Sequence, residues 1–226
     1  MVERNNPILS DTEREFVRSE VERLVEVIDD AKASHFRRAE IGDRLAIIGD
    51  TRFGVGVTRE GIPDICWCEV DEESGGFLIA KYLVRYRQYR CFLDAINVRD
   101  SESGSRRGQF RQIDNCPAEN VSFHEAQEFC LWLADLLSCE VRLPTEKEWE
   151  RAARGPDSSF KYPWGRQWNP NNANTSDSRL SRTTAVGMYP MGNAACGHHG
   201  SRNRSSSGVG PGRSICCDCS FNDVKA

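Results

Sequence analysis

The segment at residues 141–165 constrains the fold of this chain more than any other part of its sequence. It begins V-R-L-P-T-E-K-E-W-E, in which Thr145 and Glu148 stand three positions apart. A threonine and a glutamate at this spacing form a capping box, so the sequence predicts a helix over 146–154 that ends at the following glycine. The segment closes with the turn sequence Y-P-W-G at 162–165. These are strong local signals for where one helix begins and ends.

A second capping box predicts the longest well-defined element. Ser122 is followed three positions later by Glu125, which predicts a helix over 123–137. Its predicted buried stripe consists of apolar side chains at helical spacing: Phe123, Ala126, Phe129, Cys130, Leu133, Leu136 and Leu137. A third box, Ser10 with Glu13, predicts a helix over 8–33.

Between these helices the sequence predicts shorter elements. Two strands are expected over 65–70 and 77–84, and a short helix over about 86–95. The basic run 85–90 is interpreted as the solvated side of that helix, with its tyrosines facing inward. The Asn-, Ser- and Thr-rich stretch 166–185 is expected to be a long loop.

Three motifs together resemble one known family. V-S-F-H-E-A, R-L-P-T-E-K-E-W-E and Y-P-W-G occur in this order, and matching segments span roughly 60–197. The chain resembles the formylglycine-generating-enzyme, or sulfatase-modifying-factor, family. The resemblance implies an α+β, C-type-lectin-like fold with a few helices around short antiparallel strands and much irregular loop. The expected domains are an N-terminal helical extension at 1–60, a partial family domain at 61–197, and a disordered or aberrant tail at 198–226.

The resemblance stops after Gly197. The family continues with M-D-L-x-G-N-V-W-E-W and later R-G-G-S-W, and neither occurs here. In the family's oxidases that region carries the two cysteines that hold copper, so the resemblance implies no catalytic residue in this chain. His198-His199-Gly200-Ser201 allows codons that read Ile-Met-Asp-Leu in another frame. We therefore expect a C-terminally truncated or frameshifted chain. A smaller departure is Leu83-Val84-Arg85, where the family usually has Pro-Val-Thr.

The resemblance also implies a structural calcium site in the long loop, because hard cations take several oxygen donors from irregular backbone. The positions carried over are the following: Asn174, Thr175, Ser178 and Leu180, with Asp177 as a nearby carboxylate. An ordinary asparagine-rich turn network explains the same residues equally well. Copper would be required only if the chain were catalytic.

Some cysteines and tryptophans allow a binding role as an alternative to a structural one. Cys66-Trp67-Cys68 lies in a predicted strand, where the two thiols point the same way, and chelation is conceivable although no second pair completes a zinc site. The tryptophans 149, 164 and 168 could stack on carbohydrate, but core roles fit their context better.

Composition and charge narrow the function. The net charge of −4 does not suggest a nucleic-acid binder. No apolar run approaches about 18 residues, so no membrane span is expected. The start lacks the order of a secretory signal, and we expect a cytoplasmic and, from the resemblance, bacterial protein. The favoured hypothesis is a non-catalytic scaffold or binding module for an unknown protein or peptide. The alternatives are a copper-dependent oxidase that converts a substrate cysteine to formylglycine, and a truncated product without function.

Overall fold

The chain folds as an α+β structure, as predicted. The computed structural model describes residues 11–30, 32–70, 76–96, 113–155, 159–193 and 213–214. In chain order the helices and strands are α1 (Asp11–Ile28), α2 (His35–Ile48), β1 (Trp67–Val70), β2 (Phe77–Ala80), α3 (Tyr86–Ala95), α4 (Phe123–Leu137), β3 (Val141–Arg142), α5 (Glu146–Arg154) and β4 (Arg213–Ser214). Within the described ranges, no helix is both long enough and apolar enough to traverse a bilayer.

The four strands form one mixed sheet in the order β1-β2-β4-β3. β1 and β2 are antiparallel, with Cys68 opposite Ile79, whereas β4 runs parallel to both of its neighbours. The position of β4 is unexpected, because it belongs to the predicted tail 198–226. The rest of that tail lies outside the described residues.

The predicted strands 65–70 and 77–84 are shorter than expected. β2 ends at Ala80, since the chain then leaves β1 and pairs with a different segment: the Ala118 N–H donates to the Val84 carbonyl at 2.9 Å. The Tyr86 N–H donates to the Cys116 carbonyl at 2.9 Å. This switch of partner sets the start of α3, whose predicted span of about 86–95 is confirmed.

The N-terminal region contains two helices where the sequence predicts one over 8–33. α1 ends at Ile28, and α2 begins after Ser34, whose hydroxyl accepts the Arg37 N–H at 3.2 Å. The predicted Ser10 cap lies outside the described residues. At the break, the buried Arg38 side chain donates to the Ile28 carbonyl at the end of α1 and to the Asp30 carbonyl in the connection, so that it holds the two helices together.

Among the described residues, buried apolar side chains form three clusters. The largest joins α3 and α4, where Phe129 contacts Tyr89 and Phe92 with ring centroids 5.9 and 5.7 Å apart. The second packs α1 and α2 against Ala185 and Met188. The third lies between the β1–β2 pair and α5, and it includes the partly buried Trp149. The predicted core role of Trp149 is therefore confirmed.

The bounds and capping box of α4 are as predicted, but its buried stripe is narrower. The Ser122 hydroxyl accepts the Glu125 N–H at 3.3 Å, and the Glu125 carboxylate accepts the Ser122 N–H at 2.8 Å. The predicted burial of Phe123 and Leu136 is wrong, since they are 70% and 41% exposed. Both lie in the terminal turns of the helix, outside the central turns over 126–133 that pack on the core.

The basic run 85–90 does not lie wholly on a solvated face. Arg87 and Arg90 are exposed, as the charge pattern predicts, and both pair with Asp114. Arg85, in contrast, is only 1% exposed and donates to main-chain carbonyls, among them those of Gly54 and Leu83. The prediction is wrong for Arg85 because it precedes the first turn of α3 and points into the glycine-rich loop 49–57.

Candidate functional site

The R-L-P-T-E-x-E motif forms one hydrogen-bonded network between β3 and α5. The Arg142 guanidinium binds both carboxylate oxygens of Glu148, at 2.8 and 2.6 Å. The same carboxylate accepts the Thr145 N–H at 2.8 Å, and the Thr145 hydroxyl accepts the Glu148 N–H at 3.3 Å. The hydrogen bonds from Arg142, which have the largest effect, and those from Thr145 lower the pKa of Glu148 to about 2. The motif therefore fixes the angle between strand and helix.

Replacing Glu148 with glutamine is expected to lower the free energy of unfolding by about 1–2 kcal/mol at pH 7, because the pair is partly exposed. A carboxylate whose pKa falls from 4.5 to about 2 on folding stabilises the fold above pH 4.5, and this contribution is lost as the pH falls towards 2. Urea unfolding at pH 7, 4 and 3 should therefore show that the difference in free energy of unfolding between the wild type and Glu148→Gln shrinks as the pH falls. Glu146→Gln, an exposed change in the same helical turn, is the control. A difference that stays constant with pH would contradict this role.

Downstream of α5, the Y-P-W-G turn brings three aromatic side chains together at the surface. The Tyr162 and Gly165 main chains exchange hydrogen bonds of 2.9 and 3.0 Å, which closes the turn. Tyr162 and Trp164 stack with centroids 5.5 Å apart and planes 9° apart, and Trp168 lies 5.3 and 5.6 Å from them. We call Tyr162, Trp164 and Trp168 the aromatic cluster. The predicted core role is wrong for Trp168, which is 40% exposed.

The long loop that follows is ordered by side-chain hydrogen bonds and two 3-10 turns, Pro170–Asn172 and Ser176–Ser178. The Ser178 hydroxyl lies 2.6 Å from Asn174 Oδ1 and 2.7 Å from the Thr175 carbonyl. The Asn174 amide donates to the Arg182 carbonyl at 2.8 Å. Three of the predicted calcium residues are thus brought into one cluster of oxygen atoms.

The other two predicted calcium residues are placed differently. The Asp177 carboxylate accepts the indole N–H of Trp168 at 3.2 Å, so it faces the aromatic cluster. The Leu180 N–H donates to the Ser178 hydroxyl at 3.3 Å. A hydroxyl has one hydrogen, so Ser178 cannot satisfy Asn174 and Thr175 together. One oxygen keeps a lone pair for a cation, and this donor set fits the oxygen chemistry of calcium.

Cysteines in the described residues behave as core thiols. Cys66, Cys68, Cys116 and Cys130 are buried, and none of these four forms a disulfide. Burial raises the pKa of Cys130 to about 11. Over the ranges that the structure describes, no three His, Cys, Asp or Glu side chains are grouped to hold a metal ion. Cys196, Cys216, Cys217 and Cys219 lie outside those ranges.

Of the two histidines in the described residues, His124 is exposed and His35 is hydrogen-bonded to a distant segment. His124 is exposed, as expected, and lies 3.4 Å from Glu128. His35 Nδ1 lies 2.9 Å from the Tyr189 hydroxyl, a pairing across 154 residues that sequence reasoning missed. Burial, then the neighbouring Arg38 charge, lowers the pKa of His35. Because this contact joins distant segments, no local sequence signal could have revealed it. His198 and His199 lie outside the described residues.

Comparison with known proteins places this arrangement in a family. The model of the sulfatase-modifying factor enzyme 1-like domain matches residues 54–203, beginning before and ending after the predicted 61–197. Hercynine oxygenase of Mycobacterium tuberculosis is 33% identical over 101 residues, which is 42% of this chain and 22% of that protein.

Two further relatives are named for opposite activities. Inactive C-alpha-formylglycine-generating enzyme 2 of Bos taurus is 38% identical over 85 residues, 37% of this chain and 23% of its own length. Formylglycine-generating enzyme of Thermomonospora curvata is 41% identical over 56 residues, 25% of this chain and 16% of its own length. The alignments thus span about a quarter or less of these relatives. The family match covers most of the chain and implies the C-type-lectin-like fold, and this protein belongs to the sulfatase-modifying-factor, or formylglycine-generating-enzyme, family.

Proposed function

We propose that this chain is a non-catalytic member of its family that binds a protein or peptide partner through the aromatic cluster. The observation that carries the proposal is the packing of Tyr162, Trp164 and Trp168 at the surface, with 40% of Trp168 exposed. Tryptophan and tyrosine supply much of the binding energy at protein interfaces, since they bury large areas at a small entropic cost. A relative named as an inactive enzyme also supports a role without catalysis.

The state of the described thiols supports the same proposal. Copper(I) in an oxidase needs thiolate ligands at an accessible position. Burial keeps the pKa of Cys130 near 11, and the pKa of Cys66 is raised by its hydrogen bond with Cys68 and by burial. These side chains are therefore protonated at neutral pH, as expected of packing residues.

The experiment compares affinity capture by the full chain with capture by Trp168→Ala. A true partner should be retained by the wild type and by Gln167→Ala, an exposed neighbour. Its dissociation constant, measured by titration once the protein is identified, should be about 30-fold higher for Trp168→Ala, the equivalent of ~2 kcal/mol. If Trp168→Ala binds the partner with the same affinity as the wild type, the aromatic cluster is not part of the interface.

A copper-dependent oxidase is the second candidate, favoured by the similarity to the formylglycine-generating enzyme of Thermomonospora curvata. The two candidates are separated by incubating the full chain with copper(I), oxygen and a cysteine-containing peptide. We expect no aldehyde above a copper-only control, detected by mass after trapping with hydroxylamine. Protein-dependent aldehyde formation would overturn the non-catalytic proposal.

Structural calcium at Asn174, Thr175 and Ser178 is part of this proposal, because it would fix the loop that carries Asp177 beside Trp168. Calcium at about 100 times its dissociation constant should stabilise the fold by about 2.7 kcal/mol. Thermal unfolding should therefore shift upward with calcium and return with a chelator. Asn174→Ala should abolish the shift, whereas the exposed Asn171→Ala should keep it. A shift that survives Asn174→Ala would place the cation elsewhere.

A further inference from the structure

Two exposed cations flank the turn that carries the aromatic cluster. The antiparallel bridge between Tyr162 and Gly165 puts Lys161 and Arg166 at the next positions outward, opposite each other on the two arms of the turn. Like charges that stand directly opposite each other on antiparallel segments are destabilising. The fold therefore keeps two positive charges together although the turn itself would be more stable without them.

Neither cation is neutralised by a carboxylate among the residues that the structure describes. The Lys161 ammonium lies 5.5 Å from the Tyr162 ring centroid. The Arg166 guanidinium contacts the Ser159 hydroxyl, from Nε at 3.2 Å and from Nη2 at 2.8 Å. Both charges are thus held beside the turn by neutral groups, and both remain open to solvent.

The positive charge is a local feature. Residues 159–176 contain two basic side chains and no acidic one, whereas the whole chain has a net charge of −4. The next residue, Asp177, faces the cluster, and its carboxylate accepts the Trp168 indole N–H at 3.2 Å. Arg182, further along the same loop, pairs with Asp43 at 2.8 Å. An ion pair of this kind is what the two cations beside the turn lack within the described ranges.

We propose that the partner of the aromatic cluster is an acidic protein segment, whose carboxylates pair with Lys161 and Arg166 while an apolar side chain packs on the cluster. This inference rests on the proposed function and adds the chemistry of the partner. Protein interfaces commonly surround an apolar contact with a polar rim, and complementary charge selects the partner. Carboxylates from the partner would also relieve the repulsion between the two opposed cations.

A nucleic acid also combines negative charge with flat apolar surfaces. The protein segment is favoured because Tyr162 and Trp164 already stack on each other, with planes 9° apart, which leaves less ring surface for bases. The negative net charge of the chain also opposes a long polyanion, whose affinity depends on many phosphate contacts.

The test uses the full chain and three peptides of one length, labelled with the same neutral dye. Each has a central leucine, tryptophan and leucine, and its flanking residues are all glutamate, all glutamine or all lysine. By fluorescence anisotropy, the glutamate peptide should bind with a dissociation constant below ~1 mM and about fivefold more tightly than the glutamine peptide, as expected of two partly exposed ion pairs. The lysine peptide should bind more weakly than both. Raising the salt concentration to about 500 mM should remove the preference for glutamate.

Lys161→Gln combined with Arg166→Gln should weaken binding of the glutamate peptide about fivefold, to the level of the glutamine peptide. The control is Arg23→Gln combined with Arg59→Gln, which removes the same charge from other exposed positions and should leave the preference unchanged. Because the opposed cations repel each other, their loss should leave the thermal midpoint equal to or above that of the wild type. A lower midpoint, or an effect on binding no larger than that of the control, would overturn the inference.

Failure of this inference and failure of the proposed function give different results. If Trp168→Ala weakens binding of the glutamate and glutamine peptides alike, the cluster is a binding surface, and equal affinity of the wild type for both peptides would then overturn the acidic partner alone. If Trp168→Ala weakens neither, the proposed function fails as well.

Two further outcomes would also overturn the inference. One is the absence of measurable binding of the glutamate peptide, after which the capture experiment with Trp168→Ala still decides the proposed function. The other is tighter binding of a short single strand of deoxythymidine, carrying the same dye, than of the glutamate peptide, which would indicate a nucleic acid instead of a protein.

Discussion

Replacing Arg85 with methionine is expected to lower the free energy of unfolding by about 3–5 kcal/mol, the largest effect of any single change considered for this chain. The side chain is 1% exposed. Its guanidinium donates to the carbonyls of Val55 at 3.3 Å, Leu83 at 2.8 Å and Asp64 at 3.1 Å, and also to that of Gly54. Methionine fills a similar volume but removes all of these donors, although the Asp64 carbonyl still accepts the Gln88 side-chain amide at 2.7 Å.

The charge of Arg85 is compensated by dipoles rather than by a bonded carboxylate. Burial lowers its pKa to about 9, so the guanidinium remains charged at neutral pH. Lysine preserves the charge but not the planar set of donors, so Arg85→Lys should recover only part of the loss. Urea unfolding of the three proteins measures this order.

Arg87→Met is the matched control for Arg85, two residues away on α3. Its side chain is half exposed and pairs with Asp114 at 3.3 Å, so its removal should cost less than about 0.5 kcal/mol. If Arg85→Met is no more destabilising than Arg87→Met, the guanidinium does not organise the loop 49–57, and the whole basic run lies on a solvated face.

The helix starts that could be predicted are those set by residues close in sequence. The boxes at Ser122 and Thr145 each place a hydroxyl and a carboxylate three positions apart, and the structure confirms both. Such contacts require no knowledge of the rest of the fold. The same locality explains why the predicted end of α5 at Gly155 is confirmed.

What could not be predicted depends on distant partners. Arg85 is buried because carbonyls some 20–30 positions earlier surround it, while its immediate neighbours read as a solvated helix. In the candidate site, the sequence shows each aromatic residue separately, but the contacts among them depend on the closure of the turn at Tyr162 and Gly165. The contact between Trp168 and Asp177 likewise forms across a loop with no regular period.

The second large effect is expected for Arg38→Met, which should lower the free energy of unfolding by about 2–4 kcal/mol. Arg38 is 2% exposed and donates to the carbonyls of Ile28 at 2.8 Å and Asp30 at 2.9 Å. It also donates to the Met188 carbonyl at 2.6 Å. One guanidinium thus joins the end of α1 to a segment about 150 residues later.

Arg37→Met is the control, because this neighbouring side chain is half exposed. It forms an ion pair with the exposed Glu40, at 3.3 Å. It should change stability by less than about 0.5 kcal/mol. The comparison separates the effect of the buried donors from any general effect of losing an arginine from α2.

The form of the unfolding curve adds a test that the stability change alone does not. Because Arg38 and the α1–α2 cluster pack against Ala185 and Met188, the N-terminal helices should unfold together with the rest of the chain. Arg38→Met should then shift one cooperative transition, followed by circular dichroism and by tryptophan fluorescence, since every tryptophan lies beyond residue 60. If 1–60 is instead an independent extension, the circular dichroism transition will move while the fluorescence transition stays, and the contact with Met188 contributes little.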